Sequence, residues 1–136
     1  MSTITGTTIN QTVTVASSSG TSGSGTYGSP LTITSSGAVS VSGNAVVGSI
    51  LQPAVVNYGT IDSTGGTGID LTDGGSITNG TSASTAYLIE GSTSGVVITG
   101  AAGTIANFGI ISGASGRGVY LGGRALAATT VSCPWK

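Results

Sequence analysis

The chain has no histidine, one cysteine and only 5% charged residues among its 136. Each shortage removes a class of function. Without histidine, the usual base that activates a serine or cysteine nucleophile is missing, so abundant Ser and Thr do not assemble into a triad. A single cysteine, Cys133, forms no intrachain disulfide; it reads as a small apolar residue, with an intermolecular bridge as the alternative. Three basic residues, Arg117, Arg124 and Lys136, are too few to neutralise a phosphate backbone. No apolar run approaches the roughly 18–20 residues of a membrane-spanning helix. Met1–Gln11 carries neither the basic region nor the apolar run of a secretory signal. Nucleic-acid binding and membrane insertion are therefore not expected.

Helix signals are also missing. No apolar pattern is sustained at i, i+3, i+4 and i+7, and Gly, Ser, Thr and β-branched residues are poor helix formers. What the chain does have is 25 glycines, many Ser and Thr, and a hydrophobic fraction of 38%. That apolar material argues against disorder over the whole length, with the first thirty residues the loosest. It falls in short clusters of period 2, as in TINQTVTV and LTITSSGAVSVSG, each bounded by Gly, Ser, Asn or Asp.

The most telling feature is a gapless echo. NYGTIDSTGGTGIDL (Asn57–Leu71) returns fifty positions later as NFGIISGASGRGVYL (Asn107–Leu121). Repetition on this scale indicates stacked, quasi-one-dimensional architecture. The clusters group in threes: residues 59–63, 68–72 and 75–80; then 85–91, 95–100 and 103–109; then 110–113, 118–123 and 125–131. Circuits of about 20 to 28 residues, with glycine at the corners, predict one all-β domain over 1–136: a single-stranded β-solenoid of about five to six coils of three short strands. Residues 1–30 form an arm or a first coil, and 126–136 a C-terminal plug or contact segment.

In such a coil, inward residues stack on their equivalents. The expected core stack is Ile61, Ile69, Leu71, Ile77, Leu88, Val97, Ile105, Ile111, Val119 and Leu121. Asn57, Asn79 and Asn107 each precede a corner. They form either an internal ladder of amides bonded coil to coil or a set of turn residues chosen for their geometry. Tyr58 and Phe108 occupy equivalent positions and stack along one edge, in a packing or a carbohydrate-binding role.

The units GTI, GxGIDLTDGGSITNG, TAYLIEGSTSGVVITG and GTIANFGIISGASGRGVYL, from about Ala45 to Ala125, resemble the β-solenoid passenger regions of bacterial autotransporter adhesins and haemagglutinin-like surface proteins. The resemblance covers more than half of the chain. It implies a secreted protein, extracellular or on the bacterial cell surface, serving adhesion, aggregation or a biofilm matrix.

Motifs for chemistry are weak. GSGTYG (Gly23–Gly28) spells G-x-G-x-x-G, but Ser-Pro-Leu follows in place of a helix. GGTGIDLTD (Gly65–Asp73) nearly matches the calcium-binding nonapeptide, yet Leu71 stands one place early, which turns it to the wrong face, and Tyr120 stands where a second copy of Asp70 is needed. The acids Asp62, Asp70, Asp73 and Glu90 have few cationic partners for polysaccharide chemistry. The sequons at Asn10 and Asn79 count only in a eukaryotic secretory route. No catalytic, cofactor-binding or metal-ligating residue is assigned, and neither an enzyme nor a cofactor is expected.

Solenoid ends leave strand edges unpaired, and this chain blunts them little. Head-to-tail joining would form on the order of ten backbone hydrogen bonds at roughly 0.5–1.5 kcal/mol each, comparable with an association cost of roughly 4–15 kcal/mol. The expected partner is therefore another copy, joined through Ile4, Ile9, Val13, Val131 and Trp135 into a surface fibre. The alternative is an adhesin module of a larger secreted protein, binding a host, matrix or carbohydrate ligand along one face.

Overall fold

A computed structural model describes residues 1–17, 25–123 and 130–131. Among these residues there is no helix, and none long and apolar enough to cross a membrane. Short alternating clusters form strands because one face of each is apolar and because Gly and Asn break the run every few residues.

The strands follow one another in sets of three. The first set is β1 (Ser2–Ile4), β2 (Thr8–Ile9) and β3 (Val13–Ala16), after which comes an extra strand, β4 (Thr26–Gly28). The second is β5 (Leu31–Ile33), β6 (Ala38–Val41) and β7 (Val46–Gly48). The third is β8 (Ala54–Asn57), β9 (Thr60–Ser63) and β10 (Ile69–Leu71). The fourth is β11 (Gly75–Asn79), β12 (Leu88–Gly91) and β13 (Val96–Ile98). The fifth is β14 (Gly103–Asn107), β15 (Ile110–Gly113) and β16 (Val119–Leu121), and β17 (Thr130–Val131) opens another.

Each strand of a set pairs in parallel with its counterpart in the next. Three parallel sheets result, ordered β1-β5-β8-β11-β14-β17 (sheet A), β2-β6-β9-β12-β15 (sheet B) and β4-β3-β7-β10-β13-β16 (sheet C). The backbone is thus a β-solenoid with three strands per coil and about four turns. Parallel strands usually need a helical crossover. Here the rest of the coil is the crossover, so the core is a bore closed by three sheets.

The register explains the fifty-residue echo. Asn57 pairs with Asn79, 22 positions on, and Asn79 with Asn107, 28 positions on. The net difference lies in one corner, because the other two corners differ by one residue each and cancel. Two residues, 58–59 or 108–109, link sheet A to sheet B in the third and fifth sets, but eight, 80–87, do so in the fourth. The basic coil is 22 residues, and a six-residue excursion lengthens one copy.

Inward columns run the length of the bore. In sheet B, Ile9, Val39, Ile61, Ile89 and Ile111 are successive partners. In sheet C, Val13, Val46, Ile69, Val96 and Val119 are. Ile61, Ile69, Leu71, Ile77 and Ile105 are buried, and Ile111 and Leu121 pack partly buried against them.

Two expected core residues are misplaced. Leu88 and Val97 stand on the outer face, half-buried, opposite Thr60 and Asp70 in the register; their neighbours Ile89, Val96 and Ile98 are the buried ones. Both runs, LIE and VVI, are apolar on both faces, so alternation alone leaves the phase undetermined. Val119 has the inward phase but is 38% exposed, because β16 is the last strand of its sheet.

β4 departs from the regular path. It lies beneath β3 and parallel to it, pairing Thr14 with Thr26 and Val15 with Tyr27. The Tyr27 ring therefore ends the column of Leu121, Ile98, Leu71, Gly48 and Val15, and it is buried. The described residues before 30 are in this way a first coil with a strand added below it.

The phase assignment is testable. Ile89→Ala should cost about 2–5 kcal/mol, as expected for a fully buried aliphatic, whereas Leu88→Ala should cost roughly 1 kcal/mol or less. Urea unfolding of the two variants gives the comparison.

Candidate functional site: the asparagine ladder and the two ends

Asn57, Asn79 and Asn107 occupy one column of sheet A, buried to within 2%. Asn57 Nδ2 donates to Asn79 Oδ1 at 2.8 Å, and Asn79 Nδ2 donates to Asn107 Oδ1 at 2.9 Å. The same amide nitrogens also donate to Leu88 O and Ile110 O, both at 3.1 Å, where the chain enters sheet B. Asn57 Oδ1 and Asn107 Oδ1 accept from the backbone N–H of Gly59 and Gly109, two residues on. The ladder and turn roles are therefore one arrangement: each amide joins neighbouring coils, and in the two-residue corners it also fixes its own turn. Below Asn57 the column continues as Ile33 and belongs to a longer, four-residue corner.

The corner beside the ladder carries aromatic rings. Gly80 stands where Tyr58 and Phe108 stand in the neighbouring coils, one residue after each Asn. Its φ is +85°, and the Tyr87 ring lies against its Cα where a Cβ would project. Tyr87 meets Tyr58 edge to face, with centroids 6.0 Å apart and an interplanar angle of 69°. The excursion thus returns the ring that Gly80 lacks. Tyr58 finds its partner in Tyr87, on the adjacent coil.

The acids lie on outer faces. Asp62 and Glu90 are register neighbours in sheet B, with Ser40 Oγ 3.4 Å from Asp62 Oδ2. Asp70 lies between Val47 and Val97 on sheet C and accepts from Asn44 Nδ2 at 3.1 Å. Asn44 Oδ1 meanwhile accepts from Thr67 N at 2.9 Å, so this residue, missed in the sequence reading, ties a second corner together. Burial raises the Asp70 carboxyl above its ordinary range. Asp73 is exposed in the next corner. Among the described residues, no three acidic, histidine or cysteine side chains gather as a metal site. The G-x-G-x-x-G segment ends in strand β4, and strand β5 follows it. Arg117 lies 4.9 Å over the Tyr120 ring on the surface of the last coil.

The two ends differ. At the N-terminal end, Ile4 is 2% and Val13 0% exposed. Both are buried in the protein's own core and are not free for contact with another copy; Tyr27, on β4 beneath β3, belongs to the same core. Ile9 is half-buried. The Val131 side chain and Trp135 lie outside the described residues. At the C-terminal end, Ile111, Leu121 and Val119 have the inward phase yet keep accessible surface, while Ile89, Ile98 and Val96 one coil below are buried. Sequence gave no sign of this asymmetry, since β4 belongs to no repeat.

No protein-family model, curated protein or solved structure matches the chain.

Two variants test these assignments. Asn79→Ala removes a partner from Asn57 Nδ2 and from Asn107 Oδ1, and should destabilise the fold by roughly 2–4 kcal/mol, measured by urea unfolding. Asp70→Asn tests the burial effect. A carboxyl whose folded pKa is raised binds its proton more tightly when folded, so it lowers stability as pH rises from the unfolded value through the folded one. Asp70→Asn should therefore melt higher than the parent at pH 7, and the gain should shrink in acid below the ordinary aspartate range.

Proposed function

We propose that the protein is a structural β-solenoid that stacks head to tail through its ends into a fibre, outside the cell or on its surface. The supporting observation is the composition of the terminal strands. Each end presents one strand of each sheet: β1, β2 and β4 at one, β17, β15 and β16 at the other. None of the six contains a charged residue or a proline. Those are the usual means by which natural proteins keep strand edges from pairing with other chains. All sheets are parallel throughout, so a second copy in the same orientation presents strands of matching direction to each exposed edge.

The C-terminal end adds apolar surface through Val119, Ile111 and Leu121. It takes the part that the sequence reading gave to Ile4 and Val13. A contact that joins unlike surfaces without closing a ring generates an open filament.

The second reading is an adhesin module within a larger secreted surface protein. Its support is the long, weakly charged outer face and the half-buried Tyr58, Tyr87 and Phe108 corner, where a carbohydrate or matrix ligand would lie.

Electron microscopy of purified protein separates the two. Long unbranched filaments are expected for assembly, and particles that sediment singly at high concentration would leave only the module. Val119→Asp places a charge at the open end of the bore. It should abolish filaments while the monomer keeps its β-rich circular dichroism and a cooperative melt, because Val119 is already 38% exposed.

A further inference from the structure

The strand counts of the three sheets specify how two copies meet. Among the described residues, sheets A and C have six strands each and sheet B has five. The inequality arises from β4, which adds a strand below β3 in sheet C, and from β17, which adds one above β14 in sheet A. β4 lies level with β1 at the N-terminal face: Gly28 N donates to Ser2 Oγ at 2.8 Å, and the Met1 amino group lies 3.4 Å from Ser29 O.

From these counts, and resting on the assembly reading above, the geometry points to a junction with a second copy displaced by six strand spacings. At that displacement the second copy's β1 falls beside β17 and its β4 beside β16, and both ladders continue without a break. Six spacings of about 4.8 Å give an axial repeat of about 29 Å. A displacement of five spacings is sterically barred, because the second copy's β4 would occupy the level of β16. At six spacings sheet B is one strand short, so β15 and the second copy's β2 face each other across two spacings, about 9.6 Å. Among the described strands the contact is thus carried by two sheets, with a slot of one strand's width in the third.

The register names the residues that meet. One outer column of sheet C runs Thr26, Thr14, Val47, Asp70, Val97, Tyr120. Tyr120 therefore lies next to the second copy's Thr26. One outer column of sheet B runs Ser40, Asp62, Glu90, Ser112, and continuing the β2–β6 register by one residue places Asn10 before Ser40. Ser112 and the second copy's Asn10 are then separated by the slot.

Paired cysteines in a Cys133→Ser background test the arrangement. Disulfides require Cα atoms about 4.4–6.8 Å apart. Within one copy, β4 and β16 are five spacings apart, about 24 Å, so any bridge joins two molecules. Under mild oxidation of assembled protein, Thr26→Cys with Tyr120→Cys should give a ladder of covalent oligomers on a non-reducing gel, and Asn10→Cys with Ser112→Cys should not. The reverse pattern, or filaments in which neither pair links, overturns the six-spacing junction and leaves the assembly reading standing. The axial repeat of unsubstituted filaments gives an independent measurement: about 29 Å agrees, and about 24 Å refutes. Protein that stays monomeric at high concentration refutes the junction and the assembly reading together.

Discussion

The interaction on which everything else depends is the in-register parallel pairing of each coil with the coils above and below. No coil could be stable alone. Its three strands run two to five residues, and they make no ladder with one another. All backbone pairing of the faces is between coils, so each coil is held only as long as its neighbours are. Register then decides side-chain chemistry: a residue type that suits one level must suit the level above it, which is why isoleucine and valine repeat in columns and why an amide, once buried, is matched by another amide. Asn57, Asn79 and Asn107 satisfy one another in a place where a lone asparagine would leave polar atoms unpaired.

Much of this was legible from residue order. The predicted circuits coincide with the strands from β9 to β16, because Gly and Asn at the corners and β-branched residues in the faces report the local path directly. The phase of a strand was legible only where a polar residue marks the outer face, as Asp70 does between Ile69 and Leu71. Leu88–Ile89 and Val96–Val97–Ile98 have no such marker, and there the wrong residue was assigned to the core. The pairing of β4 beneath β3 was invisible, since it depends on what the strand pairs with and not on its own composition. The same blindness explains why Ile4 and Val13 looked available as contacts when both are buried in the core.

The two ends express one constraint differently. Tyr27 finishes a column of small and medium side chains with a wide ring, and the residues of that column next to it are buried. Nothing among the described side chains does the same for Val119. Among the described residues the two ends of the solenoid therefore differ, one with its apolar interior buried and one whose interior reaches the surface.

The eight-residue corner at 80–87 has a consequence for how such chains are read. It adds six residues and displaces neither flanking strand, since β11 and β12 keep the partners that a two-residue corner would give them. Length is absorbed at the vertices and is not transmitted along the axis. Distance counted in residues is consequently a poor ruler for this architecture, and distance counted in rungs a good one. Two solenoids with the same cross-section drift out of linear alignment after a single vertex excursion, while remaining superimposable level by level.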